Sequence, residues 1–454
     1  MGKKATPDKD FVIVKDVLLR YKGNRPYVVI PGGVTAIGEE AFYSSEVQKV
    51  SMPETVMRIG HRAFSNCRLL TKVEMSENIT DIGVDAFSLC CNLEEIKLPE
   101  RLRHLGDGSF SDTGIKRISI PDDVTGIWER TFESCRKLRS VVLPQRLKTI
   151  SNYAFSDCTN LTEIISPDTI ERIGENAFEK CDGLADENGF IIVSNIFAYY
   201  NGDNEEVIIP DGVRSIGEGA FGGNRQIRKV VLPDSLTYIG EKAFAGCDNL
   251  SDINVVSVPR TIEQSSFWNC KKLADEEGFI IFDDVLFGYH GDSAKVVIPD
   301  GVKMIGRYAF RNIESDRMEE IIVPDTVDII KWGTFSMCCD LKRIEMPETM
   351  ISLEGNTFSF CDNLISVRVP KGIEILKSAT FSRCKSLTEI VLPESLKKID
   401  YAAIEDCPAL ERINIPEGLE VIDEEVFDYL VDKGLIEKSR MKGLRTLSDE
   451  EDWE

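Results

Sequence analysis

Thirteen cysteines are the residues of this 454-residue chain best suited to chemistry, because a thiolate can form a disulfide or bind a metal ion. All but Cys91 and Cys339 recur at one regular position and are called the cysteine ladder below. The ladder consists of Cys67, Cys90, Cys135, Cys158, Cys181, Cys247, Cys270, Cys338, Cys361, Cys384 and Cys407. Because free cysteine is among the most buried residue types, the ladder is predicted to hold buried, reduced thiols.

Disulfides and metal binding remain alternatives for the cysteine ladder. Copies in adjacent repeats would have Cα atoms about 5 Å apart, which disulfide geometry permits. The odd number of cysteines, and runs of three or four that would pair only in part, favour reduced thiols. Zinc is disfavoured because the chain has only three histidines and no C-x-x-C pair.

Other residue types that support catalysis form no recognisable group in the sequence. His61, His104 and His290 lie in separate parts of the chain, with no Ser–His–Asp or Cys–His–Asp grouping. The segment Gly217-Glu-Gly219-Ala-Phe-Gly222 satisfies G-x-G-x-x-G but lacks the strand–helix context of a dinucleotide site. The sequence therefore predicts no catalytic residue, no cofactor and no metal ion, and a protein that is not an enzyme.

Charge and hydropathy argue against two kinds of binding. Against 54 basic residues stand 77 acidic ones, which gives a net charge of −23 and an isoelectric point near 4.8. Such a chain repels phosphate backbones and anionic lipids, so nucleic acid binding is not expected. No run of about 18 apolar residues occurs, so membrane insertion is not expected either.

An internal repeat organises most of the chain, with the consensus P-x-x-L-x-x-I-G-x-x-A-F-x-x-C-x-x-L-x-x-I-x-L. Pro393-Glu-Ser-Leu-Lys-Lys-Ile399 and Pro233-Asp-Ser-Leu-Thr-Tyr-Ile239 are two copies of its beginning, and Ser76 and Val256 replace the proline in two others. Sixteen units, most of them 22 or 23 residues long, begin at positions 31, 53, 76, 99, 121, 144, 167, 210, 233, 256, 299, 324, 347, 370, 393 and 416. A unit this short cannot bury its own apolar face, so the repeats must stack as a solenoid.

This pattern resembles the BspA-like leucine-rich repeats of bacterial surface antigens, over residues 10 to 427. The resemblance implies a right-handed, β-rich superhelix in which each turn adds one strand to a parallel sheet. It also implies a non-enzymatic, adhesin-like module that presents an extended concave surface to a protein. The fold class predicted is therefore a leucine-rich-repeat solenoid with β-hairpin insertions and a C-terminal helical cap.

Each consensus position receives a structural role. The segment L-x-x-I-x-L alternates inward and outward residues and reads as the strand. Glycines such as Gly60, Gly83, Gly174 and Gly240 are predicted to allow a bend with an unusual φ. The consensus phenylalanines are predicted to stack as one interior column: 42, 64, 87, 110, 132, 155, 178, 221, 244, 267, 310, 335, 358, 381 and 427.

A second motif interrupts the array and suggests its domain boundaries. It begins at Phe11, Phe190 and Phe279, and two apolar runs joined by Lys-Asp, Ser-Asn or Asp-Asp read as a β-hairpin. The first copy is predicted to cap the N-terminal end, and the others to project as flaps or to widen the wall. The predicted domains are a polar tail and hairpin cap at 1–30, a solenoid at 31–427 with insertions near 188–209 and 277–298, and a C-terminal cap with an acidic tail at 428–454.

A binding surface is predicted on the outward side of the strands. Val142, Ile165, Ile208 and Val231 occupy the outward position of four consecutive repeats and would form an apolar stripe. The neighbouring outward row is polar and consists of Ser140, Glu163, Glu206 and Lys229. An apolar patch rimmed by polar groups is typical of protein contacts. Two alternatives remain for the stripe: β-branched residues favour strands anywhere, and the hairpin before Pro210 would cover the stripe if it folded over it.

Two functions remain in competition. An adhesin-like module that binds a protein partner at the cell surface, or as a secreted protein, follows from the resemblance. An intracellular scaffold or effector that binds a cytoplasmic protein is favoured by reduced cysteines and by a polar N-terminus without a secretory stretch. In either case we expect a monomer.

Overall fold

The structure is a computed structural model that describes residues 9–254, 261–311, 317–437, 439 and 444–447. The predicted tail at 1–8, the start of the repeat at Val256 and the acidic end at 448–454 lie outside the described residues. Residues up to 222 and 231–243 belong to one compact unit, and most of the chain from 263 onward belongs to a second.

Nearly all of the regular structure consists of very short strands, which fall into three groups. The long strands, on L-x-x-I-x-L segments, are β3 (Tyr27–Val29), β5 (Lys49–Ser51), β7 (Lys72–Glu74), β10 (Arg117–Ser119), β12 (Ser140–Val142), β14 (Glu163–Ile165), β18 (Glu206–Ile208), β20 (Lys229–Val231), β22 (Asp252–Ile253), β26 (Lys295–Val297), β28 (Glu320–Ile322), β30 (Arg343–Glu345), β32 (Ser366–Arg368), β34 (Glu389–Val391) and β36 (Arg412–Asn414). The short strands, after the proline turn, are β4 (Ala36–Ile37), β6 (Arg58–Ile59), β8 (Asp81–Ile82), β9 (His104–Leu105), β11 (Gly126–Ile127), β13 (Thr149–Ile150), β15 (Arg172–Ile173), β19 (Ser215–Ile216), β21 (Tyr238–Ile239), β23 (Thr261–Ile262), β27 (Met304–Ile305), β29 (Ile329–Ile330), β31 (Ser352–Leu353), β33 (Ile375–Leu376), β35 (Lys398–Ile399) and β37 (Val421–Asp423). The hairpin strands are β1 (Phe11–Val14), β2 (Val17–Tyr21), β16 (Phe190–Val193), β17 (Ile196–Tyr200), β24 (Phe279–Phe282) and β25 (Val285–Tyr289).

Each unit stacks its repeats through parallel ladders, as the predicted solenoid requires. In the first unit Val141 pairs with Ile164 and Ile127 with Ile150, so equivalent positions of adjacent repeats lie side by side. In the second unit the ladders β26–β28–β30 and β32–β34–β36 repeat this arrangement. The predicted repeat solenoid is confirmed.

The phenylalanine column forms the centre of the core. From Phe42 to Phe178 in the first unit, neighbouring rings lie 4.8 to 5.7 Å apart and nearly parallel. In the second unit Phe310, Phe335, Phe358 and Phe381 continue the column at 5.1 to 5.5 Å, with the first pair tilted by 38° and the other two nearly parallel. Ring stacking adds to the hydrophobic gain from burying these side chains, so the column ties each repeat to its neighbours.

The cysteine ladder lies beside this column. Its eleven thiols are buried and free, and Cys91 and Cys339 are exposed. The Cys67 thiol donates to the Phe42 carbonyl of the preceding repeat at 3.0 Å. Equivalent bonds of 2.9 to 3.2 Å recur along both units. The Phe42 carbonyl also accepts a bond from the Ser45 nitrogen at 2.9 Å, so the thiol is the second donor to a buried carbonyl.

The hairpins do not project as flaps. The second strand of each hairpin joins the short-strand sheet in parallel, as Phe197 does opposite Ile216. Tyr21 and Tyr289 stack on the next column phenylalanine, 5.0 and 5.4 Å away. In the second hairpin Phe197 stacks on Phe221 at 4.7 Å, and the Tyr200 ring is tilted against Phe221 at 5.4 Å. Each hairpin thus supplies one turn of the wall.

The consensus glycines serve a purpose other than the one predicted. Gly60, Gly83, Gly174 and Gly240 do not have positive φ, so the predicted bend is wrong. A Cβ added at Gly60 would instead lie 2.9 Å from backbone atoms of the preceding repeat. Close approach of two backbones therefore selects glycine at this position.

Replacing Gly106 by alanine tests whether close approach selects the glycine. The new Cβ would clash with the backbone nitrogen of Val84, so one backbone must move. We expect the free energy of unfolding to fall by about 1–3 kcal/mol in urea denaturation. Gly32→Ala is the control: its Cβ would meet nothing within 4 Å, and stability should change by less than about 1 kcal/mol. Equal losses in the two variants would contradict a role for close approach.

The C-terminal end carries the predicted helical cap. Helix α1 (Glu424–Asp432) begins after Asp423, whose Oδ1 accepts a bond from the Val426 nitrogen at 3.1 Å. Val426, Phe427 and Leu430 are buried against the last repeats. The Tyr429 hydroxyl donates to the carbonyl of Cys407 at 2.8 Å, which fastens the helix to the cysteine ladder. No helix in the described part of the chain is both long and apolar enough to cross a membrane.

Candidate protein-binding face

The outward side of the long strands is the surface that the repeats present most regularly. In β12 the central residue Val141 is fully buried, while Ser140 and Val142 on either side of it are partly exposed. The same alternation repeats from one long strand to the next, because the side-chain period of a strand is two residues. The face is therefore built from two outward rows per sheet.

The structure brings part of the predicted stripe together. The register of β12 and β14 places Val142 beside Ile165 and Ser140 beside Glu163. Ile165 is 50% exposed, although it lies at the end of a strand in a well-packed sheet. These four residues form an apolar pair with a polar pair next to it.

The other predicted residues lie on different strands. Ile208 and Glu206 are on β18, and Val231 and Lys229 are on β20. β14 is the last strand of its sheet and β18 belongs to another, so the predicted run of four consecutive strands is interrupted after Ile165. The interruption occurs at the hairpin β16–β17. The repeat before this hairpin forms a loop where other repeats form a long strand.

The hairpin does not cover the exposed isoleucines. At its tip the Ser194 hydroxyl donates to the Pro167 carbonyl at 2.7 Å and lies 2.8 Å from the Ser166 hydroxyl, directly after β14. Ile165 stays half exposed beside this contact, and Ile208 is 62% exposed. Both side chains are accessible to a partner.

Charged residues of the polar row pair across adjacent repeats. Lys295 lies 3.4 Å from Glu320, and Arg412 lies 3.1 Å from Glu389. The hydrogen bond from Arg412 lowers the pKa of Glu389. Exposed pairs of this kind add little stability.

The three histidines have different surroundings in the structure. His61 accepts a bond from the Val84 nitrogen at 3.2 Å, and the His104 ring lies 6.3 Å from that of Trp128. His290 follows β25 at the end of the third hairpin. In the described part of the chain, no three His, Cys, Asp or Glu side chains are grouped as metal ligands would be.

Sequence reasoning missed a second surface, in the second unit. Register places Val297, Ile322 and Glu345 side by side on β26, β28 and β30. They line a groove of about 650 Å³ together with Asp300 and Asp325. The signal in the sequence was two apolar outward residues in adjacent repeats, each with proline two positions later and aspartate after it.

Stacked repeats that each add strands to parallel sheets define a leucine-rich-repeat solenoid, a class of scaffold that is typically non-enzymatic and binds proteins. The chain belongs to the BspA-type leucine-rich-repeat family, whose sequence profile matches residues 14–139, 125–188, 191–315 and 303–432. Proteins of this type are typically found at the bacterial cell surface.

Several solved structures are similar to this chain. A leucine-rich repeat protein of T. pallidum is 31% identical over 40% of this chain and 92% of its own, with a TM-score of 0.38. One from Bacteroides ovatus is 21% identical over 98% and 97% of the two chains, with a TM-score of 0.37. A leucine-rich cell surface protein of Faecalibacterium prausnitzii is 23% identical over 99% of each, with a TM-score of 0.35. No curated protein matches the chain significantly.

Proposed function

We propose that this protein is a non-enzymatic, adhesin-like module that binds a protein partner through the outward face of its long strands. The observation that carries the proposal is the pair of partly exposed Val142 and half-exposed Ile165, flanked by Ser140 and Glu163. Exposure of half of an isoleucine side chain to water is unfavourable for the unbound protein. A partner that covers this side chain removes apolar surface from water, which favours binding. The polar neighbours give the contact its orientation.

Replacing Ile165 by aspartate tests the site. Intact epithelial cells and immobilised host matrix proteins serve as partners, and binding of the labelled protein is measured against an albumin-coated surface. We expect a loss of binding of about tenfold or more, because the buried contact would then contain an unpaired charge. Ile365→Asp is the matched control, since Ile365 is also 50% exposed but lies outside this face, directly before β32.

The two variants distinguish a loss of binding at this face from a general effect of a new surface charge. Loss of binding in Ile165→Asp alone supports the face, provided that circular dichroism shows an unchanged fold. Equal binding of wild type and Ile165→Asp would remove this face from the proposal. If neither cells nor matrix proteins bind the wild type above albumin, the adhesin-like function is wrong.

A second candidate is an intracellular scaffold or effector that binds a cytoplasmic protein. The thirteen free thiols favour it, because thiols persist in reducing compartments. Antibody labelling of intact and lysed cells distinguishes the two candidates. Labelling of intact cells supports the adhesin, and labelling only after lysis supports the scaffold.

A further inference from the structure

Strand β26 has an open edge. On one side, the Glu320 nitrogen donates to the Ala294 carbonyl at 3.0 Å, and the Ile298 nitrogen donates to the Ile322 carbonyl at 3.0 Å. In a parallel sheet alternate residues face opposite neighbours, so the backbone groups of Lys295 and Val297 point away from β28. Among the described residues, the N–H and C=O of Val297 make no hydrogen bond.

A groove lies along that edge. One part, of about 770 Å³, is lined by the loop 274–279, by residues 289–293 and by β26 itself. The other part, of about 650 Å³, continues past the end of β26 over Ile322 and Met346. Both parts include Glu277 and Val297, so they form one continuous groove.

The groove exists because a long strand is missing. The repeat before the third hairpin continues from Leu273 into a loop, in which the Asp275 nitrogen donates to the Phe279 carbonyl at 2.9 Å. This loop occupies the sequence position at which other repeats form a long strand. The sheet therefore begins at β26 with a space beside it.

The lining of the groove is acidic with an apolar floor. Val297 is 55% exposed, and Ile322 and Met346 continue the apolar surface. Two lysines line the groove, at 271 and 295, against seven carboxylates. The carboxylates belong to Asp275, Glu276, Glu277, Asp292, Asp300, Asp325 and Glu345.

Part of this negative charge is uncompensated. At the start of the same strands carboxylates are paired, as Glu319 before β28 is with Lys342 before β30 at 2.8 Å. By contrast, Asp300, Asp325 and Glu345 form no ion pair within the described residues. Since the whole chain already carries a net charge of −23, these carboxylates would bind a cationic partner favourably.

We infer that this groove binds an extended, basic peptide segment of a partner protein, which adds a strand to β26. An extended backbone offers the alternating donors and acceptors that the N–H and C=O of Val297 require. Its apolar side chains pack on Val297 and Ile322, and its lysines or arginines face Asp300, Asp325 and Glu345. The site lies on residues other than the Val142–Ile165 face and does not depend on it.

Two synthetic peptides test the inference directly. A fluorescein-labelled Lys-Val octapeptide is titrated with the full-length protein and followed by fluorescence anisotropy in 0.15 M NaCl, and a Glu-Val octapeptide is the comparison. We expect binding of the Lys-Val peptide only. Equal binding of both peptides, or of neither, overturns the inference.

Matched variants test whether the carboxylates of the groove attract the peptide. Asp300→Lys with Asp325→Lys should weaken binding by about tenfold or more. Glu394→Lys with Glu417→Lys changes the net charge equally, at the same position after proline in later repeats, and should have little effect. A similar loss in both pairs would mean attraction to the acidic protein as a whole and would overturn the groove as the site.

Two further measurements test strand addition. Val297→Pro removes only an outward N–H, so the sheet keeps its own bonds while the peptide loses a donor. Val29→Pro, at the equivalent position of β3, is the control and should bind normally. A Lys-Val peptide that is N-methylated at alternate residues probes the same bonds without altering the protein. Wild-type affinity in Val297→Pro or in the methylated peptide overturns strand addition, whereas Ile165→Asp should leave peptide binding unchanged.

Discussion

Raising the pH above about 9 is expected to destabilise this protein steeply, because its core contains thiols that cannot ionise in place. Burial raises the pKa of Cys67 and Cys247 from 9.0 to about 12, and that of Cys135 to about 11. In the unfolded chain these thiols lose their protons near pH 9, whereas in the folded protein they keep them. The contribution of these thiols to the free energy of unfolding is therefore fully present below about pH 9. It is lost as the pH rises towards 11 to 12, by about 1.4 kcal/mol per pH unit for each thiol.

Urea denaturation at pH 7.5, 9 and 10 measures this slope, and Cys135→Ser is the matched variant. A serine hydroxyl keeps the donor to the Phe110 carbonyl, which Cys135 contacts at 3.1 Å, but does not titrate. Ser45 already occupies the ladder position in the first repeat. The variant should lose about 1.4 kcal/mol less than wild type per pH unit above 9. An unchanged slope would mean that thiol ionisation does not limit alkaline stability.

The repeat phase made the interior of this protein predictable. A residue type that returns every 22 or 23 positions must occupy the same place in each turn, so the phenylalanine column and the burial of the cysteine ladder followed from spacing alone. The acceptor of each thiol did not follow from it. That the Cys67 thiol reaches the Phe42 carbonyl depends on how closely two turns approach, which spacing does not specify.

Backbone conformation was less predictable than burial. The left-handed residues are not the consensus glycines but residues such as Glu40, Arg62, Asp85 and Tyr153, each with a φ between 51° and 57°. Such different side chains share one backbone conformation because the stacking of the repeats imposes it. The residue types at these positions therefore do not predict the positive φ. The consensus glycine is instead selected by contact with the preceding turn, which depends on the distance between backbones.

The candidate site was predictable only in part, for a topological reason. Alternation along each strand identified Val142 and Ile165 as outward residues. It did not reveal that a hairpin enters the short-strand sheet while the preceding repeat loses its long strand. That loss separates Ile165 from Ile208 along the face, and in the second unit it creates the groove beside Val297.

Replacing Phe132 by alanine is expected to be the most damaging single substitution in the first unit. The ring is fully buried and stacks between Phe110 at 5.7 Å and Phe155 at 5.3 Å. Its removal leaves a cavity in contact with both neighbours, and we expect a loss of about 3–5 kcal/mol in the free energy of unfolding. Urea denaturation followed by far-ultraviolet circular dichroism measures this loss.

Phe132→Ile is the matched control, because Ile404 occupies the same column position in a later repeat and is fully buried there. Isoleucine fills most of the cavity, so the loss should be clearly smaller than for alanine. In a repeat array each turn is stabilised by its neighbours, so the alanine variant should also weaken the coupling between the repeats before and after Phe132. Hydrogen exchange should then be faster for amides of both adjacent repeats than for those near Phe358. A loss below about 1 kcal/mol, or faster exchange confined to the repeat of Phe132, would show that the column does not couple the turns.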